Sequence, residues 1–191
     1  MNFNLFVDGL GLLFSLLITG IGSLVVLYSI GYLSKSEQLG NFYCYLLLFM
    51  GAMLGVVLSD NLIILYLFWE LTSFSSFLLI SFWREKKASI YGAQKSLIIT
   101  VLGGLSLLGG IILLSLAAHT FSIQTMIEKV SDIQNSPFFI LAMVLVMIGA
   151  FTKSAQVPFY IWLPDAMEAP TPVSAYLHSC LLYTSDAADE R

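Results

Sequence analysis

The chain carries ionisable side chains inside long apolar segments, where a charge is costly. Glu70 lies near the middle of the apolar segment 61–83, and Lys153 lies within the apolar segment 133–163. Placing a charge at the centre of a bilayer costs roughly 2.5–3.5 kcal/mol on insertion scales, so such residues face the protein interior and are usually functional. A carboxyl group there either stays protonated or pairs with a cation, and both states suit a group that handles protons. The alternative for Glu70 is a structural ion pair between helices.

Two prolines follow Lys153 and predict that its helix is broken. Pro158 cannot donate a backbone hydrogen bond, so the carbonyl group of Ser154 loses its helical partner, and Pro164 repeats this effect further along. A helix interrupted at membrane depth is tolerated only where it is buried in protein or lines a wet cavity. Broken helices with a buried charge recur in ion-transport sites, and a desolvated lysine can exchange protons. The alternative is that Lys153 extends its ammonium group to the membrane surface.

Lys95 and His178 are further candidates for proton transfer. Lys95 lies about two helical turns inside the segment 88–118, where it either contributes to function or extends to the surface. His178 follows the broken helix on the last apolar segment, and this position suits proton transfer as well as a structural role. The two cysteines, Cys44 and Cys180, have no motif spacing. We therefore expect no disulfide, no metal site and no cofactor.

The composition indicates that these residues lie in a membrane protein. Of 191 residues, 58% are hydrophobic and 10% are charged, against roughly 25% charged residues in soluble proteins. This composition excludes a disordered chain, a nucleic-acid-binding protein and an ordinary soluble enzyme. The net charge of −4 does not indicate an acidic protein, because half of it comes from residues 180–191, which hold three acidic residues and one basic residue.

Apolar segments long enough to cross a bilayer predict an all-α fold, a polytopic bundle of transmembrane helices. A helix needs about 20 apolar residues to cross a hydrocarbon core of roughly 30 Å. We expect about five complete spans, one of them broken by proline, and the start of a sixth near Thr171. The five segments are 9–34, 38–59, 61–83, 88–118 and 133–163. Small residues that would allow close helix packing are Gly51 and Gly55 on one face, and Gly103, Ser106 and Gly110 on another.

The loops between the spans predict the orientation of the chain in its membrane. Alternation of the spans puts the loops 34–40 and 84–88 on one side. That side carries Lys35, Arg84, Lys86 and Lys87. The loop 119–137 lies on the other side with Lys129 as its basic residue. The positive-inside rule makes the first side cytoplasmic, so the N-terminus and the loop 119–137 are expected outside.

Three motifs resemble those of one membrane-protein family. They are Phe68-Trp69-Glu70-Leu71, Lys153-Ser154-Ala155-Gln156-Val157-Pro158-Phe159 and the run from Trp162 to Ala175. These motifs resemble the antiporter-like membrane subunits, a family that includes the Mrp multisubunit sodium/proton antiporters and the proton-pumping subunits of respiratory complex I. Within that family, residues 1–179 are most similar to the N-terminal half of the Mrp A subunits.

The resemblance implies roles for the residues singled out above. Glu70 and Lys153 match a glutamate–lysine pair that forms the input half of a proton path. His178 matches a histidine that opens the next helix, and the family often has a lysine at the position of Lys95. The resemblance also implies a transporter subunit, not an enzyme, that works with other membrane subunits in a lipid bilayer and couples proton movement to sodium export.

Two alternatives stay open, and both chain ends depart from the family pattern. The chain is alternatively an antiporter-like subunit of NADH-quinone oxidoreductase (complex I), in which the same residues act, or a membrane scaffold that transports nothing. Two further helices would precede the present start, so Met1 is expected to be an internal methionine or an artefact of gene prediction. Residues 180–191 resemble the translation of a transposase sequencing adapter. We therefore expect an antiporter-like fragment over 1–179 and a non-native tail over 180–191.

Overall fold

The structure, a computed structural model, describes residues 6–33, 39–83, 85–167 and 169–177. Throughout these ranges the regular structure is helical, apart from one isolated bridge between Asn61 and Ser122. The helices are α1 Gly9–Tyr32, α2 Leu39–Leu58, α3 Leu62–Ile80, α4 Lys87–Ala118, α5 Ile123–Glu128, α6 Val130–Gln134, α7 Phe139–Lys153, α8 Leu163–Ala166 and α9 Thr171–Leu177, with a 3-10 turn at Phe159–Trp162 before α8. The predicted all-α class is confirmed.

Four helices, α1 to α4, are long and apolar enough to cross a bilayer. The first three lie within the first three predicted segments, α4 begins one residue before the fourth, and together they agree with a multi-pass membrane protein. The fifth predicted segment, 133–163, is divided in the structure, because α7 has 15 residues and non-helical residues follow Lys153. A helix of this length extends about 22 Å, less than the hydrocarbon thickness. The count of five spans and the assignment of one proline-broken span stay predictions.

Polar side chains cap the first turns of α1 and α3. The carboxylate of Asp8 accepts a hydrogen bond of 2.6 Å from the backbone N–H of Gly11. The Oδ1 atom of Asn61 accepts from the backbone N–H of Ile63 at 3.0 Å. Both bonds satisfy donors that have no partner within the helix, so these caps define where α1 and α3 begin.

Small residues of α4 allow α7 to pack very closely against it. A Cβ atom added to Gly103 would lie 2.5 Å from the side chain of Thr152, so there is no room for one. The hydroxyl group of Ser106 donates a 3.0 Å hydrogen bond to the backbone carbonyl of Leu145. The predicted small-residue face of α4, which includes Gly110, is therefore confirmed as a helix contact.

The other predicted small-residue face, on α2, forms a contact through one of its two glycines. A Cβ atom added to Gly55 would overlap the ring of Phe68 on α3, whereas nothing described lies within 4 Å of the corresponding position on Gly51. Of these two glycines, Gly55 is therefore the one that allows the close approach of α2 and α3.

The short helix α9 closes one side of the bundle through Tyr176. Its side chain is fully buried, and its hydroxyl group donates a 3.1 Å hydrogen bond to the carbonyl oxygen of Ile18 on α1. The ring also lies edge-on to Phe49 of α2, with the ring centroids 5.4 Å apart. The last described helix therefore packs against the first two helices.

Two loops meet at one end of the bundle through Asp60. Its buried carboxylate accepts a 2.9 Å hydrogen bond from the hydroxyl group of Ser122 and a 3.3 Å bond from the backbone N–H of Gln124. The carbonyl oxygen of Asp60 also accepts from the backbone N–H of Ile123 at 2.9 Å. The loop before α3 and the segment before α5 thus lie at the same end, as the alternation of spans requires.

Candidate functional site

Lys153 is the last residue of α7, and its side chain lies inside the protein. The side chain is only 6% exposed, and its Nζ atom donates a 2.7 Å hydrogen bond to the hydroxyl oxygen of Ser73 on α3. The C-terminal end of a helix carries partial negative charge, which favours a cation at this position. The alternative in which Lys153 extends to the membrane surface is therefore wrong.

The end of α7 is held by hydrogen bonds to its last carbonyl groups. The carbonyl oxygen of Ala150 accepts from the N–H of Ser154 at 2.9 Å. The carbonyl oxygen of Thr152 accepts from the indole N–H of the buried Trp162 at 3.0 Å. These bonds satisfy acceptors that a helix end leaves without a partner. The residue next to Lys153 is thus attached to the segment that follows the break.

Ala155 marks the point at which the backbone leaves the helix. Its φ angle of 53° lies in the left-handed region, which is typical of the residue just after a helix C-cap and costs an alanine roughly 1–2 kcal/mol. Pro158 follows in the non-helical segment, and Pro164 lies in the first turn of α8, where a proline is tolerated. The break thus begins upstream of both predicted prolines.

Glu70 lies on α3, one helical turn before Ser73, and is half-buried. Its Oε1 atom is inaccessible to solvent and has no hydrogen-bond partner among the described residues. This oxygen lies against the backbone of α4 at Gly104, where an added Cβ atom would overlap it. Contact with a carboxylate at this point is therefore possible only because residue 104 has no side chain.

Glu70 and Lys153 are neighbours in the structure without a direct ion pair. Their charges interact electrostatically, but no ion pair within 4.0 Å joins them in the described part of the chain. The Nζ atom of Lys153 lies 5.7 Å from the ring centroid of Trp69, within the range of a cation–π contact. The end of α7 that carries Lys153 therefore meets the part of α3 that carries Glu70 and Ser73, whereas a buried Glu70–Lys153 pair stays a prediction.

Lys95 forms an ion pair that the amino-acid sequence did not reveal. Its Nζ atom lies 2.6 Å from a carboxylate oxygen of Asp165 on α8, and the two side chains are 30% and 36% exposed. Lys95 also lies 6.0 Å from the ring centroid of Tyr91. This ion pair therefore joins α4 to α8.

The structure adds three residues to the predicted site. Ser73 binds the ammonium group of Lys153, Gly104 makes room for the carboxyl group of Glu70, and Trp162 holds the end of α7. Gly104 was recognisable only as a neighbour of the small-residue face, and Trp162 only as part of a motif. His178 lies outside the described residues.

The fold and the site define a multi-pass helical membrane protein with ionisable groups in its interior, and comparison with known proteins gives its family. Residues 59–185 match the family model described as NADH:quinone oxidoreductase/Mrp antiporter, transmembrane. Residues 1–43 match the model described as NADH-ubiquinone oxidoreductase (complex I), chain 5 N-terminus. Because the first match covers more than half of the chain, the protein belongs to the NADH:quinone oxidoreductase/Mrp antiporter transmembrane family.

Individual relatives agree with the predicted resemblance. The Na(+)/H(+) antiporter subunits A1 of Staphylococcus aureus strains JH9 and Newman are 86% identical over 182 residues, which cover 95% of this chain and 23% of each relative. The chain therefore spans about a quarter of the length of these curated relatives. The predicted relationship to the Mrp A subunits is confirmed.

Two solved structures share the fold. The Mrp complex from Dietzia sp. DQ12-45-1b matches with a TM-score of 0.83 and 40% identity, over 90% of this chain and 19% of that chain. The membrane-bound sulfane sulfur reductase, an archaeal respiratory membrane complex, matches with a TM-score of 0.84 and 20% identity, over 94% of this chain and 37% of that chain. The second likeness concerns the fold alone.

Proposed function

We propose that the chain is part of the A subunit of a multisubunit Na+/H+ antiporter and contains the input half of its proton path. The observation that carries this proposal is the buried ammonium group of Lys153, hydrogen-bonded to Ser73 beside the carboxyl group of Glu70. Burying a charge in a membrane protein is costly, and such residues mark ion pathways. The 86% identity to the A1 subunits of Staphylococcus aureus supports the same assignment.

In this proposal Glu70 and Lys153 act as a coupled pair. A proton that reaches the carboxylate of Glu70 converts it to a neutral carboxylic acid. The attraction that holds the ammonium group of Lys153 then weakens. Lys153 can release one of its N–H protons to the next group in the path. It returns to the charged state by taking up the proton that Glu70 gives up when its carboxyl group ionises again. His178 and Lys95 are proposed as further members of this path.

The helix break after Lys153 supports a transport role. We infer that Phe139–Lys153 and the segment that ends at Ala166 together form one membrane span, interrupted near the level of Lys153 and including Pro158 and Pro164. A break of this kind leaves backbone groups that need partners within a wet or protein-lined cavity. The bond from Trp162 to the carbonyl group of Thr152 supports a break stabilised inside the protein.

The orientation in the cell membrane is proposed from the distribution of basic residues. The loops 34–40 and 84–88 are assigned to the cytoplasm, and the N-terminus and the loop 119–137 to the outside. The contact of Asp60 with Ser122 supports this arrangement, because it joins the loop before α3 to the loop 119–137 at one end of the bundle. Other antiporter subunits, the lipid bilayer, protons and sodium ions are the proposed partners.

A second candidate function is proton pumping within complex I. The match of residues 1–43 to a complex I family model favours it, and the local chemistry of Glu70 and Lys153 is the same in both. The genes that surround the coding sequence separate the two functions: small antiporter subunits indicate the Mrp complex, whereas NADH dehydrogenase subunits would favour complex I. A non-transporting scaffold is the third candidate.

The experiment that tests the proposed function replaces the two ionisable groups with neutral side chains of similar size. Glu70→Gln and Lys153→Met are introduced into the complete subunit, and the assembled complex is reconstituted into lipid vesicles. We expect both variants to lose most of the sodium/proton exchange. Glu128→Gln and Lys129→Met serve as matched controls, because both side chains are exposed. Full exchange in both site variants, with normal assembly, would favour the scaffold.

We also propose that residues 1–179 form the antiporter-like part of the chain and that residues 180–191 are not native. The support is the acidic, alanine-rich end of the chain, which holds Asp186, Asp189 and Glu190 after a long apolar sequence. This segment lies outside the described residues, and the family match itself extends to residue 185. The nucleotide sequence is the appropriate test of this boundary.

A further inference from the structure

The ammonium group of Lys153 is bound to a hydroxyl group and not to the neighbouring carboxylate. Its acceptor is the Oγ atom of Ser73, at 2.7 Å, in a side chain that is only 1% exposed. Glu70 lies three residues earlier on the same face of α3, and its Oε1 atom has no hydrogen-bond partner among the described residues. Two acceptors for one ammonium group are thus spaced by one helical turn.

Ser73 differs from the other buried hydroxyl residues of α3. The Ser75 hydroxyl donates to the carbonyl oxygen of Leu71 at 2.8 Å, and the Ser76 hydroxyl donates to that of Ser73 at 2.8 Å. Both bonds stay within the helix. The Ser73 hydroxyl makes a longer bond of 3.4 Å to the carbonyl oxygen of Trp69. Since a hydroxyl oxygen accepts as well as donates, this donation leaves its lone pairs for Lys153.

We propose that Ser73 is a positioning residue, the second of two docking points between which the ammonium group of Lys153 moves. This inference rests on the proposed function. A charged carboxylate binds an ammonium group more strongly than a hydroxyl group does, so Lys153 moves to Glu70 when that carboxyl is ionised. When Glu70 is protonated, Ser73 receives the ammonium group. The arrangement in the structure is the position docked on Ser73.

The charged groups around Lys153 are consistent with this two-position arrangement. Glu70 on α3 is the titratable group that interacts with Lys153, and Tyr66 interacts with Glu70 one turn further. On the neighbouring elements, Lys95 of α4 is bound to Asp165 of α8. Within the described residues, the carboxyl group of Glu70 therefore is the group whose protonation can move Lys153.

The test compares three identical substitutions at buried serines of one helix, in the complete complex reconstituted in vesicles. Ser73→Ala removes the second docking point, whereas Ser75→Ala and Ser76→Ala remove hydroxyl groups that bond only to their own helix. Because the bond to Ser73 holds a charged group, we expect exchange in Ser73→Ala to fall about tenfold or more. Its pH profile should also differ from that of the controls, and a structure of this variant should show Lys153 bound to Glu70.

Two outcomes would overturn the inference. One is a Ser73→Ala variant whose exchange rate and pH profile equal those of Ser76→Ala. The other is a Ser73→Ala structure in which the ammonium group of Lys153 stays away from Glu70. Glu70→Gln and Lys153→Met in the same assay distinguish a failure of the proposed function from a failure of the role proposed for Ser73. If they abolish exchange while Ser73→Ala does not reduce it, the proposed function stands and the role of Ser73 fails; if they retain full exchange, the proposed function itself fails.

Discussion

Replacing Gly104 with alanine places a methyl group where the carboxyl group of Glu70 now lies. The added Cβ atom would overlap the Oε1 atom of Glu70 and would lie 3.0 Å from its Cδ atom. The obstructing atoms are the end of a flexible side chain, so the carboxyl group can rotate away while α3 and α4 stay packed. Gly104→Ala therefore moves the carboxyl group of Glu70 without changing its chemistry.

The size of the effect follows from the displacement. Carbon and oxygen atoms in ordinary contact are separated by about 3.5 Å, so the carboxyl group must move by about 1 Å or more. Misplacing a reacting group by about 1 Å can reduce a rate on the order of 100-fold. Alanine in place of glycine stabilises a helix by about 1 kcal/mol. We therefore expect sodium/proton exchange to fall by roughly 10- to 100-fold while the complex stays assembled.

The assay is sodium-driven proton movement in vesicles that contain the complete complex. Gly109→Ala on the same helix is the matched control, because a Cβ atom there would lie 3.5 Å from Leu145, an ordinary contact. Equal exchange in Gly104→Ala and Gly109→Ala would show that exchange does not depend on the position of the Glu70 carboxyl group. If Gly104→Ala prevents assembly, the double variant with Glu70→Ala identifies the obstacle: restored assembly supports the carboxyl group, and continued failure contradicts it.

Three further predictions concern the end of α7, the ion pair on α8 and the end of the chain. Trp162→Phe removes the hydrogen bond to the carbonyl group of Thr152, and thermal unfolding should show a loss of about 1–3 kcal/mol; an unchanged melting temperature would contradict this. Asp165→Asn breaks the ion pair with Lys95. Because both side chains are partly exposed, thermal unfolding should show a loss of about 0–1 kcal/mol; a larger loss would show that the pair is structural. The coding DNA should contain a transposase adapter from the codon of Cys180 onward; independent reads with unrelated codons there would disprove it.

The transmembrane helices could be predicted well because hydropathy is a local property of the chain. A charge-free segment of about 20 residues has to be helical in lipid, since its backbone groups have no other partners there. The charge-free segments 9–34 and 38–59 accordingly contain α1 and α2. The segment 133–163 was less predictable, because α7 ends at Lys153 through bonds to residues beyond the break.

The site was predictable only in part. Glu70 and Lys153 could be selected because a charge in an apolar segment is costly wherever the helix packs. The acceptor of Lys153 could not be selected in this way. Four hydroxyl residues lie close together on α3, at positions 72, 73, 75 and 76, and the orientation of α7 against α3 decides that Ser73 is the one in contact.

Hydropathy and charge along the chain are enough to identify a helical membrane protein with a few costly charges, because both properties depend on each segment and its solvent. Which groups touch depends instead on how the helices pack. Lys153 meets Ser73 across 80 positions of the chain, and Lys95 meets Asp165 across 70. Such contacts depend on how helices rotate against each other and how closely they approach. Glycines such as Gly104 allow the close approach. The need for a glycine is recognisable only when the atom on the opposing helix is known.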